Sequence, residues 1–131
     1  MKKLIQSLAI ILTLYSCSTP EVENNQTTTE NILSIPQRFV GKWKRIAPNE
    51  NVKAEVKINQ LIVENLTRTN GTVIDDNGST LFKADLGNNE TLTLLLATYN
   101  QNTTNDDVLG ITITNSNTPN VYVTNGYWVR D

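Results

Sequence analysis

Residues 90–99 read E-T-L-T-L-L-L-A-T-Y, and across Thr91, Leu92, Thr93 and Leu94 polar and apolar side chains alternate one for one. In an extended strand successive side chains leave on opposite faces, so a period of two gives one face to a core and the other to solvent. The pattern recurs along the chain. Val52, Ala54, Val56 and Ile58 alternate with Lys53, Glu55 and Lys57; Ile111 and Ile113 alternate with Thr112 and Thr114; Val121 and Val123 flank Tyr122. Threonine, valine and isoleucine are stiff at χ1 and suit a pleated, half-buried surface better than a helix. Between the runs lie Asn70-Gly71, Asp76-Asn77-Gly78, Gly87-Asn88-Asn89 and Asn125-Gly126. Asn and Gly tolerate the positive φ angles of tight hairpins, so each is read as a turn.

The fold class that follows is all-β, with strands expected near 38–46, 52–58, 61–68, 72–75, 79–86, 90–99, 108–115 and 120–130. Only in Gln60–Leu66 does a short helix compete, because Leu61, Ile62 and Leu66 fit one helical face. An antiparallel meander of seven or eight strands buries one face best by curling into a small barrel or half-barrel. A two-sheet β-sandwich is the alternative. No internal repeat of fixed period is expected.

The N-terminal part is different. Met1, Lys2 and Lys3 precede an apolar run, Leu4 to Leu14, which ends in Tyr15, Ser16 and Cys17, the only cysteine in 131 residues. A basic start and an apolar stretch too short to span a bilayer have the layout of a secretory signal. Leu14, Ser16 and Cys17 resemble the lipobox of bacterial lipoproteins. The resemblance implies cleavage after residue 16, lipidation of Cys17 as the mature N-terminus, and an outer-membrane, cell-envelope location on its periplasmic or surface-exposed side. Several acyl chains at about 0.8 kcal/mol per buried CH₂ give stable anchoring where one chain is marginal. Residues 17–37 are then expected to form the lipidated cysteine and a flexible polar tether, with residues 38–131 as the folded domain. Glu21 and Glu23 near the mature N-terminus, with the Asn and Thr richness, resemble the surface-export signals of Bacteroidetes lipoproteins.

Composition limits the partners. The whole chain carries eleven basic and thirteen acidic side chains. Without Lys2 and Lys3 nine basic ones remain, a net charge of −4. Such a surface has no general attraction for nucleic acid or anionic head groups, and the membrane is expected to be met through the lipid on Cys17 alone. Of the 94 residues from Arg38 onward 35 are apolar, enough for one small core.

The first expected strand contains F-V-G-K-W-K-R-I, with Gly41-Lys42-Trp43, and the chain closes on Y-W-V-R-D. Gly-x-Trp resembles the opening motif of lipocalins and of the small lipocalin-like domains of bacterial lipoproteins. The resemblance implies a barrel in which Trp43 packs at the closed end with Arg130 across it, so Gly41, Trp43 and Arg130 form a structural motif. It also implies a binding module for a small apolar ligand or another envelope component. Independently of any family, a guanidinium over an indole is worth about 0.5–2 kcal/mol.

Chemistry is sparse. With no histidine in the chain, Ser-His and Cys-His nucleophilic sites and the usual zinc and non-haem iron ligand sets are absent, and no metal or cofactor is expected. Asp75-Asp76-Asn77-Gly78 offers oxygen ligands but lacks the calcium-loop pattern and reads as a turn, as does Asn105-Asp106-Asp107. Glu50, Glu55, Glu64 and Glu90 are the carboxylates a small hydrolase acting on glycans would need; their spacing does not select a pair. Tyr99, Tyr122, Tyr127 and Trp128 are candidates for a sugar- or peptide-binding surface, against ordinary strand packing. The expectation is a non-enzymatic binding module, with the carboxylate hydrolase as the alternative.

Overall fold

The computed structural model describes residues 30–101 and 104–131, apart from the side chains of residues 98–106; the expected signal segment and Cys17 lie outside the described residues. Nine antiparallel strands form a single curled sheet, a half-barrel: β1 (Gly41–Ala47), β2 (Lys53–Lys57), β3 (Gln60–Val63), β4 (Leu66–Arg68), β5 (Thr72–Asp76), β6 (Leu81–Gly87), β7 (Glu90–Gln101), β8 (Thr104–Asn115) and β9 (Tyr122–Arg130). Their order across the sheet is β4-β3-β2-β1-β9-β8-β7-β6-β5. This is a meander in which the first strand pairs with the last and the open seam falls between β4 and β5. Among the described residues all nine strands belong to this one sheet, not to the two of a sandwich.

Period-two patterning builds the core. The buried residues Val52, Ala54 and Val56 of the β2 region, Leu61 and Val63 of β3, Phe82, Ala84 and Leu86 of β6, Leu92 and Leu94 of β7 and Leu109, Ile111 and Ile113 of β8 all point inward. Trp43, Trp128, Phe39 and Phe82 are fully buried among them. These aromatic rings occupy the interior of the curl, and Leu96 packs against the same cluster while remaining partly exposed.

Several local expectations are corrected. Residues 61–68 are not one strand and contain no helix: Glu64, at φ 55°, and Asn65 make a two-residue turn that pairs Val63 with Leu66. That turn adds the ninth strand. Residues 37–39 form a 3₁₀ turn rather than the start of β1, with Phe39 buried beneath it. Asn105, Asp106 and Asp107 lie within β8, opposite Asn100, Tyr99 and Thr98. Asn125-Gly126 is interior to β9, and Asn70-Gly71 belongs to the β4–β5 connection rather than to a hairpin. In both cases the glycine serves close approach instead of a turn. Gly87, Asn88 and Asn89 all have positive φ, as the turn reading required, and so does Gly78.

The tether boundary also moves. Leu33 and Ile35 are 1% and 2% exposed, and the segment that carries them runs along the seam as a strap. Leu33 N–H donates to the Thr69 carbonyl, Ile35 N–H to that of Ile58, and Gly71 N–H to that of Asn31. A Cβ on Gly71 would lie 2.9 Å from Leu33 Cδ1, so the strap fits because that position has no side chain. The alternating pair Leu33 and Ile35 is too apolar to leave in water, which is why the folded part begins before residue 38. Across the same seam Arg68 on β4 grips Glu90 of β7 with two hydrogen bonds of 2.8 and 3.0 Å.

Leu33→Ala removes a fully buried anchor of the strap. It is expected to cost about 2–5 kcal/mol, read as a lowered urea midpoint with little change in slope. Retention of the wild-type midpoint would show that the strap does not hold the seam.

Candidate functional site

The two strands that close the meander carry one pentad twice: Gly41-Lys42-Trp43-Lys44-Arg45 on β1 and Gly126-Tyr127-Trp128-Val129-Arg130 on β9. Both read Gly-x-Trp-x-Arg. Their antiparallel register sets Trp43 opposite Arg130 and Arg45 opposite Trp128. At this spacing the Gly, Trp and Arg of each pentad share the inner face, and each arginine reaches the tryptophan of the other strand. The Arg130 guanidinium carbon lies 4.4 Å from the centre of the Trp43 ring, and that of Arg45 lies 5.2 Å from Trp128.

The glycines make room for the arginines. A Cβ on Gly41 would come within 2.6 Å of Arg130 Nη1, and one on Gly126 within 2.6 Å of Arg45 Nε. Backbone oxygens hold the guanidinium groups in place. Arg130 Nη1 donates to the Val40 carbonyl at 3.1 Å, Arg45 Nε donates to that of Ala47 at 3.1 Å, and Arg45 Nη2 donates to that of Asn125. The two ends differ in one respect. Trp43 Nε1 donates to the Phe39 carbonyl at 3.1 Å, whereas Trp128 Nε1 is buried with no acceptor. The 3₁₀ turn that supplies Phe39 plugs only the Trp43 end of the barrel.

Gly41, Trp43 and Arg130 thus meet in one cluster. Arg45 and Gly126 are not singled out by the sequence reading; the duplicated Gly-x-Trp-x-Arg pentad is the signal that could have found them.

The candidate aromatic surface divides. Trp128 is fully buried and belongs to the core, while Tyr122 and Tyr127 are each 55% exposed on β9. Tyr99 stands opposite Asp106 in the β7–β8 pair, and its side chain lies outside the described residues. The carboxylates do not gather. Glu90 is committed to Arg68, Glu55 on the outer face of β2 lies 3.9 Å from Lys57, Glu64 sits in the β3–β4 turn, and Glu50 is exposed in the loop before β2. Among the described residues no group of three or more His, Cys, Asp or Glu side chains is placed to hold a metal ion.

Three open clefts stand out among the described residues. The largest of the three, about 490 Å³, lies over β1–β3 and is lined by charged residues such as Lys42, Lys53, Glu64 and Asp131 together with Trp43, Val52 and Ala54. The second, about 370 Å³, lies at the seam around Arg68 and Glu90, and the third, about 250 Å³, separates the β3–β4 turn from Val123 and Thr124. The core residues Leu94, Leu96, Ile111 and Ile113, expected to line the barrel interior, line none of the three.

Asp76 shows why its acidic cluster behaves as a turn. Its carboxylate accepts from Arg38 and from the Gly78 N–H, while Asn77 Oδ1 accepts from the backbone N–H groups of Ser79, Thr80 and Leu81. The Arg38 hydrogen bond, followed by that of Gly78, holds the Asp76 carboxyl below the ordinary carboxylate value. A carboxyl lowered on folding adds stability that is present above its unfolded pKa and lost as pH falls through the folded one. Asp76→Asn should therefore flatten the acid limb of stability against pH, below the ordinary carboxylate range, as followed by urea unfolding.

A double-mutant cycle tests the reciprocal stacks. Arg130→Ala with Trp43→Leu, and separately Arg45→Ala with Trp128→Leu, should each show a coupling of about 0.5–2 kcal/mol in urea unfolding. Coupling near zero at both ends would leave the stacks as bystanders. Comparison with family models, with curated proteins and with solved structures gave no match for this chain.

Proposed function

We propose that this chain is an envelope lipoprotein, anchored through lipid on Cys17, whose lipocalin-like half-barrel is a non-enzymatic binding module that docks another envelope component on its outer surface. The anchoring part rests on the lipobox resemblance of Leu14, Ser16 and Cys17. The docking part rests on one contrast: the interior is occupied by Trp43, Trp128, Phe39 and Phe82, while Val121, Tyr122, Val123 and Tyr127 on or beside β9 are 63, 55, 40 and 55% exposed. Exposed aromatic and β-branched side chains on a rigid sheet offer contact area at low cost in conformational entropy. Carriage of a small apolar ligand finds less support, because the large rings stand where such a ligand would sit.

In the native bacterium labelled fatty acid should enter the wild-type protein, and Cys17→Ala should abolish both label and membrane retention. An unlabelled, freely soluble wild type would overturn the anchoring. For docking, a photocrosslinking side chain in place of Tyr127 should give discrete adducts in intact cells, and the same side chain in place of Lys53 should not. Equal adducts from both positions would remove the outer face of β9 as the docking surface.

A further inference from the structure

The outer faces of the two halves of the sheet differ in charge. Over β1 and β2 the outward positions are Lys42, Lys44, Lys53, Glu55 and Lys57. Over the Thr91–Leu95 part of β7 and the positions paired with it on β8 and β9 they form three cross-strand rows: Thr91 opposite Thr114, Thr93 opposite Thr112 and Asn125, and Leu95 opposite Gly110 and Tyr127. None of these side chains is charged. Lys83 and Asp85, opposite Thr93 and Thr91 on β6, mark one border, and Lys44, opposite Val129, marks the other.

We propose that this uncharged face binds a neutral polysaccharide strand. The inference rests on the outer-surface reading above and names its partner. A pyranose presents apolar C–H faces and a rim of neutral hydroxyls, so it calls for an aromatic platform beside unionised donors and acceptors. Tyr127 provides the platform: its Cε1 comes within 3.8 Å of where a Cβ on Gly110 would lie, so the ring leans over the bare glycine backbone while remaining 55% exposed. Gly110 also opens a notch between Tyr127 and Leu95, which is 46% exposed. The strand positions that carry Thr91, Thr93, Thr112 and Thr114 are spaced about 4.8 Å apart across strands and about 7 Å apart along them, as the geometry of a sheet requires. The threonine χ1 angles are restricted by β-branching, and Thr112 Oγ1 donates to Asn125 Oδ1 at 3.1 Å. Such an array loses little entropy when it binds.

The chemistry argues against other partners. An anionic polymer finds no cation on this face. A peptide strand finds no free backbone edge, because β7, β8 and β9 are paired on both sides. A protein interface core favours large apolar and Arg side chains over threonine.

The test is native affinity electrophoresis of the full chain in gels containing soluble neutral polysaccharides (dextran, galactomannan or xyloglucan), with polygalacturonate as the anionic control. At least one neutral polymer should retard the protein. Tyr127→Ala should weaken that retardation about tenfold and Thr112→Val several-fold, with Thr112→Ser restoring most of it and Lys53→Ala changing nothing. Tyr127 and Thr112 face outward, and unchanged urea midpoints would show that the variants fold. Absence of retardation by every neutral polymer, retardation by polygalacturonate alone, or retardation indifferent to Tyr127 would overturn the proposal. If Tyr127 crosslinks to a protein in cells while no neutral polymer retards the chain, the outer-surface reading stands and the polysaccharide reading falls.

Discussion

Reciprocal stacking of arginine on tryptophan between β1 and β9 fixes how the sheet curls. Each strand gives an indole to the core and a guanidinium to the indole opposite, so the two strands keep one register, with Trp43 opposite Arg130 and Arg45 opposite Trp128. A slip of one residue by either strand would turn that strand's tryptophan outward and part each arginine from the indole opposite it. Since β1 and β9 are the first and last strands, this register also decides which halves of the sheet face each other across the interior. The rest of the core, from Val56 to Leu92, then fills a space whose width is already set.

The opposite side of the barrel is held more loosely. The β4 and β5 edges do not pair, and the seam relies on the strap through Leu33 and Ile35 and on the Arg68–Glu90 fork. Unpaired edges invite association with other strands, and both are blunted here. Strand β4 has only three residues, while β5 ends in Asp75 and Asp76 and is kinked by a shift of register between Val73 and Asp75. The 3₁₀ turn and Arg38 draw this side toward the plugged end, where Arg38 stacks on Phe39 and binds Asp76. A half-barrel thus replaces the missing ladder with a few side-chain bonds and two buried aliphatic residues.

Much of this fold is legible in the sequence, because a period of two is a local signal and every long strand carries it. The alternation at Thr91–Leu94 and Ile111–Thr114 places both strands and both faces, and Gly87-Asn88-Asn89 marks its turn through the need for positive φ. What fails is glycine whose reason is distant. Gly126 looks like a turn beside Asn125, but its constraint is the Arg45 side chain arriving from eighty-one positions away; Gly71 likewise answers to Leu33. Turn chemistry and steric clearance select the same residue, and only the tertiary partner tells them apart. The aromatic residues show the same limit. Adjacent Tyr127 and Trp128 have opposite fates because alternation sends one out and the other in, yet the parity of β9 is fixed only by its pairing with β8 and β1. The outward-facing, half-buried threonine rows could be read one strand at a time, whereas their alignment into a single face depends on the β7–β8–β9 register.

The link between β1 and β9 has a consequence for the order in which the molecule assembles. Contacts such as Arg130 to the Val40 carbonyl join positions ninety apart, and loop closure over such lengths weakens stability only slightly while slowing folding greatly. A chain emerging N-terminus first completes β1 almost at once, but the neighbour that covers its indole and saturates its free edge is among the last segments to appear. Until then Trp43 and the β1 edge are open to whatever lies nearby, and the hairpins β2–β4 and β5–β8 form as separate, locally wired halves. In that order of synthesis, closure of β1 on β9 comes last and joins two half-sheets around one interior.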